Sequence, residues 1–134
     1  EISYYSGLRL NEVLALSNQD IKINGSIVLS IQGKGDKYRK TYLPLAFREK
    51  LTSFTGFSID DNYVITTLKR ISQKTKNAFS FHSLRHSFAI NFVESSGDIH
   101  SLKKLLGHKD IQTTVIYLKF RKDELPINLK AIGY

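Results

Sequence analysis

Apolar residues recur along this chain with two different periods, and each change of period marks an element. Leu10, Val13, Leu14 and Leu16 fall at helical spacing around Glu12, which predicts a short helix closed by Asp20. Ile21 and Ile23 then alternate with polar residues, Asn24-Gly25 is a strong two-residue hairpin signal, and Ile27, Leu29 and Ile31 alternate again. Two antiparallel strands follow from that pattern. Residues 33–40 read as a glycine-bearing basic loop, and Thr41-Tyr42-Leu43 as a third strand stopped by Pro44, which sets Lys34 at one end of a small sheet.

Beyond Pro44 the spacing turns helical. Helices are expected over 46–54 and 63–76, with a polar turn containing Gly56 between them. From Ser83, Leu84, Phe88, Ala89, Phe92 and Val93 repeat at three and four, predicting one buried stripe that ends at Gly97, with Arg85 beside it. Asp98 can cap a helix carrying Ile99, Leu102, Leu105 and Leu106, stopped by Gly107; Asp110 can cap another carrying Val115, Ile116 and Tyr117. Residues 119–134 form a mixed tail, although Leu125, Ile127, Leu129 and Ile132 are too apolar for a free one.

Composition narrows the partner. A chain of 134 residues with 41% hydrophobic content is one domain with a genuine core. Its 20 Lys and Arg outnumber 12 Asp and Glu, giving +8, and such a charge favours a polyanion. Without a run of about 20 apolar residues there is nothing to span a bilayer, so nucleic acid is the first candidate partner, and a cytoplasmic setting without a membrane is expected. Zero cysteines exclude disulfides and thiolate metal sites.

The candidate chemistry lies in five short stretches. Arg9 and Arg85 can grip non-bridging phosphate oxygens as planar forks, Lys34, His82 and His108 can move protons, and Tyr117 can be a nucleophile. Each has a plainer reading: Arg9 can serve an ion pair with Glu12, and Tyr117 is one of 7 tyrosines. His82 and His86 stand four apart, a spacing that could hold a metal, yet no carboxylate or cysteine accompanies them at ligand spacing. No metal or other cofactor is expected.

The order and spacing of the motifs say more than any one of them. Ser6-Gly7-Leu8-Arg9-Leu10-Asn11-Glu12, Gly33-Lys34-Gly35, His82-Ser83-Leu84-Arg85-His86, and Leu106-Gly107-His108 followed by Tyr117 resemble the tyrosine recombinase (phage integrase) family over residues 5–118. The resemblance implies a mainly helical α+β catalytic domain with a small three-stranded antiparallel sheet. It implies a catalytic set of Arg9, Lys34, His82, Arg85, His108 and Tyr117, with Glu12 as an orienter, Lys34 as general acid, and Lys37 as its rival in the same loop. Tyr117 would attack a phosphate of double-stranded DNA, form a 3′-phosphotyrosyl link and free a 5′-hydroxyl, with neither ATP nor metal. Lys37, Arg39, Lys40, Lys74, Lys76 and Lys109 are the expected DNA-backbone contacts. Family members usually place a helix and a separate DNA-binding domain ahead of the first motif, so 1–134 is expected to be a catalytic-domain fragment, monomeric alone and homotetrameric on DNA in its parent. A type IB topoisomerase or telomere-resolving relative, or a catalytically silent DNA-binding one, are the alternative readings.

Overall fold

The structure is a computed structural model, and it describes residues 1–33, 38–77, 79–96 and 98–107. The expected helix after Asp110, the tail from 119, and Lys34, Lys37, His108, Lys109 and Tyr117 lie outside those residues.

Three strands form one antiparallel meander, β1 (Ile21–Asn24), β2 (Ser26–Gln32) and β3 (Tyr38–Leu43). Gly25 takes the hairpin at φ 68°, a conformation that glycine reaches without a Cβ penalty, and this fixes the register Asn24 opposite Ser26. β3 begins three residues earlier than its apolar signal, because Arg39 pairs with Ile31 and Tyr38 with Gln32. Along β3 burial alternates, so Arg39, Thr41 and Leu43 face inward while Tyr38, Lys40 and Tyr42 face out.

Six α-helices accompany the sheet among the described residues. α1 (Ile2–Ser6) and α2 (Leu10–Leu14) flank the first motif, and α3 (Arg48–Thr52) follows a 3-10 turn at Leu45–Phe47. α4 (Asp61–Thr75), α5 (Phe81–Ser96) and α6 (Ile99–Leu106) complete the described fold. α1 has no periodic signal of its own. It packs on α5 and closes with Gly7 at φ 69°, while the Ser6 hydroxyl donates back to the Ile2 carbonyl at 2.7 Å. α4 starts two residues before the expected point because the Asp60 carboxylate accepts from the Tyr63 N–H at 2.6 Å. α3 is shorter than the expected 46–54, its first residues having tightened into the 3-10 turn after Pro44.

Two apolar clusters hold these elements together. Leu8, Val13, Leu16, Ile27, Leu29, Ile31, Leu43, Phe47 and Leu51 fill the space between the sheet and α2 and α3. Ala89, Ile90, Leu102 and Leu106 join α5 to α6, with Phe88, Phe92 and Val93 around them. Burying each large side chain contributes about 1.5–3 kcal/mol before chain entropy is counted. Gly7 stands between the clusters: a Cβ there would come within 2.5 Å of Phe88 Cδ1 and 2.7 Å of Leu106 Cδ2. The first motif is therefore tied to α5 and α6 by a backbone approach that only glycine permits.

Candidate active site

Arg85 departs most from its expected place. Instead of lying beside the apolar stripe of α5, it sits on the buried face with Ala89 and Ile90, only 1% exposed. A buried guanidinium must find acceptors, and this one draws them from three distant segments. Nη1 donates to the Gly7 carbonyl, Nη2 to the Leu106 carbonyl at 2.8 Å, and Nη1 stands 3.8 Å from Glu12 Oε2. Leu106 is the last residue of α6, where helix carbonyls lack intrahelical donors and carry the negative end of the dipole. The cation therefore closes that helix end.

Glu12 is the hub. From the third position of α2 its carboxylate reaches back to accept the Arg9 N–H at 2.7 Å, and it takes Arg9 Nη1 at 3.2 Å. Its shortest side-chain bond comes from elsewhere, Arg39 Nη2 at 2.7 Å. Burial alone would raise the Glu12 pKa, but the Arg39 hydrogen bond, the Arg9 backbone bond and both positive charges outweigh it and hold the carboxyl below its ordinary 4.5. Glu12 is thus an anion at any neutral pH. Three guanidiniums against one carboxylate leave two positive charges in excess, and Arg9, with its side chain 48% exposed, carries that excess to the surface. Such an arrangement suits an anionic oxygen ligand.

His82 shares this field. Burial, then the charges of Arg85 and Arg9, push its imidazole below the ordinary 6.5. His86, one turn on, meets the His82 ring edge to face at 4.6 Å, and burial followed by the charges of His82 and Arg85 lowers it as well. Both rings are therefore disposed to be neutral at pH 7, able to accept a proton or hydrogen bond.

Of the expected catalytic set, Arg9 and Arg85 are brought together at Glu12, and His82 lies within the field of both. Lys34, His108 and Tyr117 lie outside the described residues, though His108 directly follows Gly107, the left-handed cap of α6 at φ 66°. Among the expected DNA contacts, Lys40, Lys74 and Lys76 are exposed, and Lys37 and Lys109 fall outside the described residues. Arg39 is turned inward, its side chain 14% exposed, with both ends of the guanidinium engaged by protein. The alternation along β3 carried that information, since Arg39 shares its face with Thr41 and Leu43; its charge in a basic loop pointed the other way.

The fold is thus a mainly helical domain with a small antiparallel sheet, in which arginines from separate segments converge on one carboxylate. Comparison with known proteins gives the family: the model described as Phage integrase family matches residues 51–124, more than half of the chain, and the chain belongs to that family. It is 36% identical to the tyrosine recombinase XerC of Psychromonas ingrahamii over 87% of this chain and 46% of that protein. It is 29% identical to XerA of Thermococcus kodakarensis over 91% and 50%. The chain therefore spans about half the length of the curated relatives it matches. Among solved structures it resembles the XerH site-specific recombinase bound to a palindromic difH substrate in a post-cleavage complex, with TM-score 0.76 and 27% identity over 98% of this chain and 42% of that one. The catalytic domain of bacteriophage HP1 integrase shares the fold at TM-score 0.71 and 23% identity, over 96% and 77%.

Proposed function

We propose that this chain is the catalytic domain of a site-specific DNA recombinase that cuts and rejoins strands through a phosphotyrosyl intermediate. The observation that carries the reading is the convergence of Arg9 and Arg85 on Glu12, with His82 in the field of both arginines, within a chain of the phage integrase family similar to a recombinase solved on cleaved DNA. Arg9 and Arg85 neutralise the non-bridging oxygens of the scissile phosphate, where charge stabilisation and positioning account for most of the rate. Tyr117 Oη attacks phosphorus, its proton passing to a neighbouring base of the histidine set. The bond from phosphorus to O5′ breaks, and Lys34 protonates the departing oxygen. Attack by a 5′-hydroxyl from a partner duplex reverses the step and exchanges strands. The bond energy stays in the phosphotyrosyl link, so the balance needs neither ATP nor metal. The working form on this reading is a homotetramer on duplex DNA, with residues 119–134 joining neighbouring subunits.

The test is covalent trapping. The intact protein is given a duplex carrying the site it selects from a random-sequence pool, nicked beside the cleavage point so that the freed fragment is lost. A denaturing gel then shows a protein–DNA adduct for the wild type and none for Tyr117→Phe, while DNA affinity stays nearly unchanged. An adduct from the Phe variant sinks the assignment of the nucleophile, and no adduct from the wild type sinks the reaction.

A further inference from the structure

Arg39 is a half-buried charged side chain that this mechanism leaves unused, and it is held by groups from two other elements. It reaches from β3 to two places at once. Nη2 donates to Glu12 Oε2 at 2.7 Å and Nε donates to the Leu105 carbonyl at 2.9 Å, in the last turn of α6. Its stem lies against Gly107, where an added Cβ would stand 3.0 Å from Arg39 Cδ and 3.2 Å from Nε. Arg85 makes the matching pair of contacts one residue on, to the Leu106 carbonyl and toward Glu12. The carbonyls of Leu105 and Leu106, two of the four that end a helix without intrahelical donors, are thus each taken by one arginine, and both arginines face the same carboxylate.

We infer that Arg39 is a positioning residue for strand cleavage: it neutralises Glu12 and grips the end of α6, so that Arg9 and Arg85 keep their charge for the phosphate and the chain leaves Gly107 in the right place. Two consequences separate this role from a DNA contact. The first is electrostatic. With Arg39 gone, Glu12 is left to Arg9 and Arg85, whose guanidiniums already stand at 3.2 Å and 3.8 Å, and a closer pairing would take their charge away from the substrate. The second is geometric, because a lysine can supply charge to Glu12 but its single ammonium cannot reproduce the fork that holds carboxylate and carbonyl together.

The inference rests on the recombinase reading, and the experiment keeps the two apart by requiring wild-type adduct first. Single-turnover adduct formation on the nicked duplex is measured for wild type, Arg39→Lys and Arg39→Gln in the intact protein, together with DNA affinity and melting temperature. Arg39→Gln is expected to slow cleavage by about 100-fold, the scale of a misplaced catalytic group, with affinity nearly unchanged, and Arg39→Lys to recover part of that rate. A pH profile supplies the readout that a merely structural role would not move. The charged groups facing Glu12 among the described residues are Arg9 on the cap of α2, Arg39 on β3 and Arg85 on α5, and only the loss of Arg39 removes its strongest donor. The rate of Arg39→Gln relative to wild type should therefore rise as pH drops from 7.5 to 5.5, about neutral and mildly acid conditions, because protonating Glu12 returns the charge of Arg9 and Arg85 to the substrate, and the rise should vanish when Glu12→Gln is present in both proteins. Wild-type rates in a folded Arg39→Gln protein overturn the inference, as do a ratio that is flat with pH or equal losses of cleavage and affinity. Absence of wild-type adduct overturns the recombinase reading itself and this role with it.

Discussion

Glu12 holds one negative charge against three guanidiniums, while burial and then nearby positive charge, from Arg85 and Arg9 at His82 and from His82 and Arg85 at His86, hold both imidazoles below the ordinary 6.5. These groups respond to acid in the same direction but in different windows. Glu12 has its folded pKa below the ordinary 4.5, so its contribution is complete above that value and is lost as pH falls through the folded pKa. The histidines have folded pKa values below 6.5, so the unfolded chain takes up protons first and stability declines as pH drops from 6.5 until the folded rings titrate too. Thermal melting is expected to show a first decline beginning near pH 6.5 and a second below 4.5. His86→Asn should flatten the first and Glu12→Gln the second. A melting curve that rises on acidification from pH 7 to 5 would contradict both assignments.

At the scale of elements, the C-terminus of α6 decides the site, because Arg39 and Arg85 both close it and the Leu106-Gly107-His108 motif begins there. Gly25 and Gly107 allow the strain and the packing to be separated. Both have left-handed φ, 68° and 66°, but Gly25 has nothing within 4 Å of an added Cβ, whereas Gly107 faces Arg39. Gly25→Ala should lose about 1 kcal/mol for the backbone alone, and Gly107→Ala about 2–3 kcal/mol in all, or about 4 °C in melting temperature for each kcal/mol. Most of the excess should disappear when Arg39→Ala makes room; equal losses at the two glycines would deny the contact. These two turns were legible in the sequence because their chemistry is local: Asn24-Gly25 makes the hairpin, and Asp98 and Gly107 bound α6. α1 was not, since five residues with two tyrosines carry no periodic signal and fold by packing on α5. Nor was the burial of Arg85, whose carbonyl partners lie 78 and 21 residues away. Motif order picked out Arg9, His82 and Arg85, while the meeting of the two arginines at Glu12 and the part of Arg39 in it required the fold.

For the molecule as a whole, a net charge of +8 argues for an electrostatic hold on DNA, but not every cation is available for it. Lys50 is tied to Glu1 at 2.7 Å, and Arg39 is spent on Glu12 and Leu105. Lys40, Lys74 and Lys76 are exposed and remain the described candidates for phosphate contact. Each phosphate neutralised releases condensed counterions, so log K should fall linearly with log salt, with a slope of about −5 for about six contacts and a loss of about 10³-fold in affinity between 50 and 200 mM. Replacing Lys74 and Lys76 together by alanine should make that slope shallower by about two, one for each lost contact. Arg39→Gln should leave it unchanged, although it also removes one formal charge, because that charge meets a carboxylate inside the protein rather than a phosphate outside it. Anisotropy titrations of a labelled duplex at four salt concentrations measure all three slopes. A slope shallower by one in Arg39→Gln would return Arg39 to the DNA surface, whereas an unchanged slope with slowed cleavage fits a cation whose work is done at Glu12.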